Sequence, residues 1–178
     1  MKKLTHEEIL QIKPSVEDTK TAKRNPFVAV LDNVRSLYNV GAIFRTSDAV
    51  MIEKLYLCGI TGQPPRKEIS KTALGAEEIV PWEYCESAVD AIKKLKKAGY
   101  TICAVEIAHE SVQYDKATFK FPLCLVFGHE VEGISDEAME LVDMAVKVPM
   151  LGRANSLNVE TCFGVVAYEV LKKLNEKN

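Results

Sequence analysis

Apolar runs of strand length alternate along the chain with stretches of helical periodicity. The runs are 27–31 (Phe-Val-Ala-Val-Leu), 54–58, 100–105, 122–127 and 144–150. Each is short, strongly apolar and bounded by charged or turn-forming residues, which is the pattern of a buried strand. Residues 79–82 suggest a further short strand, and Pro81 suits it to an edge. Between these runs the period changes. Val40, Ile43, Phe44, Val50 and Met51 keep helical spacing, with Asn39 placed as N-cap. Ala88, Ala91, Ile92 and Leu95 form a second apolar stripe, capped by Ser87 and closed by Gly99. Ser135 is placed as the cap of a third helix, with Asp136 and Glu137 in its favourable first turn. A last helix over 159–174 carries Val159, Phe163, Val166, Val170 and Leu174, widened by Cys162, Ala167 and Leu171. That face is too broad for a simple surface helix, so the sheet and a second subunit are both expected against it. The alternation predicts an α/β fold, a mostly parallel sheet flanked by helices.

Ahead of the first strand, Thr5 and Glu8 form a capping box, with a hydrophobic staple between Leu4 and Ile9; the helix they open stops before Pro14. Residues 15–25 read as a polar lead-in. The first 25 residues hold six basic groups against four acids, and are read either as an RNA-contacting arm or as a solvated lead-in. The division is therefore 1–25, N-terminal helix and basic lead-in, and 26–178, one globular domain.

Composition narrows the chemistry. The chain has 178 residues, 47% hydrophobic and 27% charged, enough for one sizeable core. Its net charge of −2 gives no global electrostatic signature of nucleic-acid binding, though a local patch is compatible with it. No stretch reaches the roughly 18 apolar residues of a membrane span, and the N-terminus lacks a signal-peptide core. Cys58, Cys85, Cys103, Cys124 and Cys162 show no C-x-x-C spacing, and His6, His109 and His129 are scattered. Reduced core thiols in a cytoplasmic protein without a metal site are the expectation.

Three strand-to-helix junctions carry unusual polar residues: Asn39 with Arg45, Gly128 to Gly133, and Gly152 to Asn158. In a parallel sheet all three lie at the carboxyl edge and can converge on one crevice. The glycine-rich dinucleotide fingerprint, the P-loop and the nucleophile elbow are absent. Taken singly, each junction also reads as turn or cap chemistry.

The residues at these junctions resemble a known family. Asp32-Asn-Val-Arg-Ser-Leu-Tyr-Asn39-Val-Gly-Ala-Ile-Phe-Arg45 resembles the first motif of the SpoU/TrmH-type RNA 2′-O-ribose methyltransferases, in the SPOUT superfamily. Leu125-Val-Phe-Gly-His-Glu130-Val-Glu-Gly-Ile resembles the second, and Val148-Pro-Met with Ser156-Leu-Asn-Val159 the third. The three stand in family order over about residues 26–174. The resemblance implies S-adenosyl-L-methionine as methyl donor, RNA (tRNA or rRNA) as substrate, and a homodimer with its site near the interface. It also implies a SPOUT-like fold with a C-terminal trefoil knot.

Carried over by motif, Arg45, Asn39, Glu130, Ser156 and Asn158 match active-site positions, and Gly128, Val148 and Leu157 match cofactor-binding positions. On this reading Arg45 positions an RNA phosphate and stabilises the developing alkoxide, since a guanidinium makes a poor base. Asn39 would orient Arg45, while Glu130 and Asn158 would hold the loops and the nucleotide. His129 stands where the second motif commonly has asparagine, and Glu160-Thr-Cys162 where small residues are usual. No separate N-terminal RNA-binding domain is recognised, so the core domain is expected to hold RNA through the basic arm and Arg66, Lys67 and Lys71. Two other readings are a non-catalytic RNA-binding protein retaining the fold and a SPOUT enzyme methylating a base.

Overall fold

The computed structural model describes residues 1–176. Its centre is a seven-stranded sheet with every strand pair parallel. In chain order the strands are β1 (Asn25–Asp32), β2 (Ile52–Cys58), β3 (Trp82–Cys85), β4 (Thr101–Val105), β5 (Val112–Gln113), β6 (Leu123–Phe127) and β7 (Met144–Lys147). They are arranged β3-β2-β1-β6-β4-β7-β5. The helices are α1 (His6–Ile12), α2 (Val16–Thr21), α3 (Leu37–Ala49), α4 (Lys67–Ala73), α5 (Ala88–Lys97), α6 (Asp136–Met139) and α7 (Val159–Asn175).

The apolar runs are continuous because the central strands are buried on both faces. Phe27, Ala29, Leu31, Leu123, Leu125 and Phe127 point to one layer, with Ile43 and Phe44 of α3 and Phe163, Val166 and Val170 of α7. Val28, Val30, Cys124 and Val126 point to the other, with Ala88, Ala91, Ile92 and Leu95 of α5. Each strand thus alternates between two cores at its period of two. The broad face of α7 finds its cover in the first core, including an aromatic contact of 5.2 Å between Phe127 and Phe163. Tyr168 remains 53% exposed on the same helix.

Several local expectations are corrected. Ser36, not Asn39, caps α3: its Oγ accepts the Asn39 N–H at 3.3 Å, which places Asn39 in the first turn. Ser135 precedes α6 but makes no side-chain cap; its hydroxyl donates to Asp32 Oδ2 at 2.7 Å. Residues 15–25 are not all lead-in, because Ser15 caps α2 by accepting from Asp18 N. The edge strand β3 begins at Trp82, after Pro81, and β7 ends at Lys147. Arg66, Lys67 and Lys71 lie at the start of and along the helix α4, all exposed. The capping box of α1 is present as read, and so is the turn at Gly99, whose φ of 86° suits glycine.

Candidate active site

The three polar junctions meet at the carboxyl edge of the sheet. Glu130, in the loop after β6, holds the entry to α3: its carboxylate accepts the N–H groups of Arg35 at 3.0 Å and Ser36 at 2.9 Å, and the Asn39 side-chain amide at 3.0 Å. Asn39 Oδ1 in turn accepts from Asn158 Nδ2 at 3.1 Å. Asn158 caps α7, its own Oδ1 accepting from Glu160 N at 2.9 Å. One chain of bonds therefore ties the first motif to the second and the third. Burial pushes the Glu130 pKa up, but the N–H groups of Arg35 and Ser36 and the Asn39 amide outweigh it, so the carboxyl titrates below its ordinary range.

Behind this network lies a cavity of about 370 Å³, walled by the loops after β4, β6 and β7. That volume is in the range of small-ligand sites. Gly128, Val148 and Leu157 all line it, as do Glu130, Ser156 and Asn158. Val105, Phe127, Val148 and Leu157 give apolar walls suited to a flat heterocycle, while polar groups sit toward Glu106 and the network. Cys162 also reaches the wall, but burial first, and the nearby Glu106 charge second, push its thiol up to about 11, so it is no nucleophile.

The glycine of the second motif has a reason of its own. A Cβ on Gly128 would stand 2.1 Å from the carbonyl carbon of Gly133 and 2.2 Å from Ile134 N. The loop returns tightly there, with His129 and Gly133 exchanging both backbone hydrogen bonds at 3.0 Å. The absent side chain thus admits the loop's own backbone. His129 stands in for asparagine in this turn: its Nδ1 accepts the N–H groups of Val131 at 3.2 Å and Glu132 at 3.1 Å, as a short amide oxygen does in an Asx turn.

Arg45 is placed apart. It is exposed, lines a separate hollow with Lys71, Glu160 and Tyr168, and does not border the cavity. Among the described residues it makes no hydrogen bond or ion pair. The Asn39 amide is engaged by Glu130 and Asn158, not by Arg45, which corrects the orienting role expected for it. Lys71 Nζ stands 5.9 Å from the centre of the Tyr38 ring, beside the same hollow. Arg24 is removed from the free basic groups, since its guanidinium donates to the carbonyls of Ile52 at 3.1 Å and Ile79 at 2.9 Å.

Two acids were given no role in the reading of the sequence, one of them the first residue of the first motif. Asp32, 2% exposed at the end of β1, accepts from Asn33 Nδ2, Ser135 N and Ser135 Oγ, and so pins the start of α6. Glu106, directly after β4, lines the cavity. The signal common to both was their place at a strand's carboxyl end.

The profile of the SpoU rRNA Methylase family matches residues 26–168. A tRNA (guanosine(18)-2′-O)-methyltransferase of Aquifex aeolicus is 32% identical over 87% of this chain and 73% of its own length. The crystal structure of an A. aeolicus TrmH/SpoU tRNA modifying enzyme superposes with a TM-score of 0.81 at 30% identity, over 91% of this chain and 82% of that one. An AdoMet-bound rRNA methyltransferase from Sinorhizobium meliloti gives a TM-score of 0.79 at 28% identity, over 85% of this chain and 58% of that one.

Proposed function

This chain belongs to the SpoU rRNA methylase family, and we propose that it methylates a ribose 2′-hydroxyl of transfer RNA with S-adenosyl-L-methionine as donor. The observation that carries the reading is the Glu130–Asn39–Asn158 chain of hydrogen bonds, which joins three motifs at the mouth of the cavity. The relatives nearest 30% identity that act on tRNA favour that substrate over ribosomal RNA.

The cavity fits the donor. Val105, Phe127, Val148 and Leu157 would hold its adenine, and the backbone around Gly128 and Leu157 would meet its polar edges. When bound, the donor supplies an electrophilic methyl group on a sulfonium. The chain's part is alignment and charge. Glu130 and Asn158 fix the loops, Ser156 offers a hydroxyl at the wall, and Asn39 couples them. Holding donor and hydroxyl in line lowers the barrier by several kcal/mol, of order 7 or more where alignment is good. Arg45, with its five donors unengaged, would clamp the phosphate beside the target ribose and stabilise the growing negative charge on the 2′-oxygen.

Because Arg45 faces a hollow outside the cavity, the reading includes a homodimer whose site lies near the interface. Val131 and Leu151, in the loops around the cavity, are 85% and 98% exposed, and a second copy would cover them. The division at residue 25 is part of the same reading: no residue of α1 or α2 is buried, so the segment up to Lys23 serves as an arm that joins Arg66, Lys67 and Lys71 in holding RNA, while Arg24 and Asn25 fasten it to the sheet. The C-terminal knot implied by the motifs, and a cytoplasmic location, go with it. No helix among the described residues is long and apolar enough to cross a membrane.

The test is transfer of labelled methyl from S-adenosyl-L-methionine into unmodified tRNA, followed by digestion to nucleosides. The expected product is a 2′-O-methyl nucleoside, reduced by about a hundred- to a thousandfold in Arg45→Ala while donor binding and melting temperature are unchanged. A methylated base would overturn the ribose assignment, and an active Arg45→Ala enzyme would overturn the role of Arg45.

A further inference from the structure

Glu106 belongs to none of the three motifs, yet its half-buried carboxylate forms part of the cavity wall. Two backbone donors fix it in place. Oε1 accepts the Ile107 N–H at 2.9 Å, and Oε2 accepts the Ile134 N–H at 3.2 Å. Gly133 lies against it with a φ of 75°, and a Cβ there would come within 2.6 Å of Oε2. No ion pair with Glu106 occurs among the described residues. Each oxygen therefore has one backbone partner and a remaining lone pair, in a cavity whose wall carries the apolar Val105, Phe127, Val148 and Leu157 and also the polar Lys147, Ser156 and Asn158.

We infer that Glu106 accepts hydrogen bonds from the two ribose hydroxyls of the methyl donor, an inference that rests on the donor pocket assigned above. The chemistry selects this partner. A carboxylate can only accept, so it calls for neutral donors or a cation. Methyl transfer turns a sulfonium into an uncharged sulfide. An acid placed on that sulfonium would hold the charged reactant more tightly than the transition state and would raise the barrier. A vicinal diol is neutral before and after transfer, so an acid bound to it anchors the donor without opposing the reaction. Its two hydroxyls also match the two free lone pairs. An acid near a strand's carboxyl end reading a ribose diol is a device of dinucleotide-binding folds as well.

The competing role is a brace: Glu106 joins the loop after β4 to the loop after β6 whether or not a ligand is present. The test separates the two with full-length protein and three probes, S-adenosylhomocysteine and its 2′-deoxy and 3′-deoxy analogues, titrated by calorimetry. In wild type, removing either hydroxyl is expected to weaken binding by about tenfold or more, the scale of a hydrogen bond to a charged group. In Glu106→Ala, which removes both acceptors, S-adenosylhomocysteine is expected to weaken by at least that factor and the deoxy analogues to bind about as well as it does, while Glu106→Gln, which keeps one acceptor oxygen, should retain discrimination against at most one of the two analogues. That disappearance of discrimination is the signature of a direct hydrogen bond. An equal penalty for all three probes, or none, would overturn the inference and leave the brace. Failure of wild type to bind S-adenosylhomocysteine would overturn the pocket assignment with it. Melting curves of both variants distinguish a missing hydrogen bond from a damaged fold.

Discussion

Glu130→Ala removes the acceptor of three hydrogen bonds at once, and their sum sets the expected loss of stability. The bonds to the N–H groups of Arg35 and Ser36 lie at the N-terminal entry to α3 and are comparable to helix caps, about 0.5–2 kcal/mol each when deleted. The bond from Asn39 is charge-assisted, but the acid lies at the surface and water replaces much of it, leaving about 1 kcal/mol. The total is about 3 kcal/mol, and at roughly 2–4 °C per kcal/mol for a chain of this size the melting point falls by about 6–12 °C. The pH dependence follows from the lowered pKa. A carboxyl held below its ordinary value of about 4.3 stabilises the fold fully above that value, and the contribution is lost as pH falls through the native value. The gap between wild type and variant should therefore be widest near neutrality and close on acidification. Scanning calorimetry from pH 7 to pH 3 measures both effects. A variant that melts within about 1 °C of wild type at pH 7 would refute the clamp, and a gap that grows in acid would refute the sign.

Other outcomes follow from the same geometry. Gly128→Ala places a methyl group against the backbone of Gly133 and Ile134, so it should cost more than about 2 kcal/mol in urea denaturation and weaken S-adenosylhomocysteine binding at least tenfold. Lys67→Ala and Lys71→Ala remove exposed charges and should leave melting unchanged, while the slope of log affinity for tRNA against log salt falls by about 1 for each phosphate that the lysine had neutralised.

Much of the fold could be read from the chain because strand and helix periods are local. The runs at 27–31 and 122–127, and the stripe of Ala88, Ala91, Ile92 and Leu95, announce their elements without reference to anything distant. The errors cluster where two local signals compete. Ser36 and Asn39 are both good caps three residues apart, and the structure uses the first as cap and the second as its bonding partner. Freed from capping, the Asn39 side chain can reach Glu130 and Asn158, so the correction explains the site. Ser15 and Asp18 carried a cap signal for α2 that a run of polar residues concealed. The basic residues of α4 obscured a helix whose buried face is only Ile69 and Ala73. At the site, the motif residues lining the cavity were legible by type and position. Glu106 was not, because its meaning depends on Ile134 and on a cavity that no local pattern encodes.

The order of the strands also bears on how the protein is made. β1 is the first strand in the chain, and its neighbour β6 begins at Leu123. A growing chain therefore carries β1 with one edge unpaired until most of the sequence has left the ribosome, a hazard for association with other chains. The bond from Asn158 to Asn39 spans 119 residues and needs the segment that leads into α7. A chain cut before α7 lacks Ser156, Leu157 and Asn158 and cannot close the site. One wall of the cavity, Ser156 to Val159 with Cys162, is thus supplied only by the segment that enters α7.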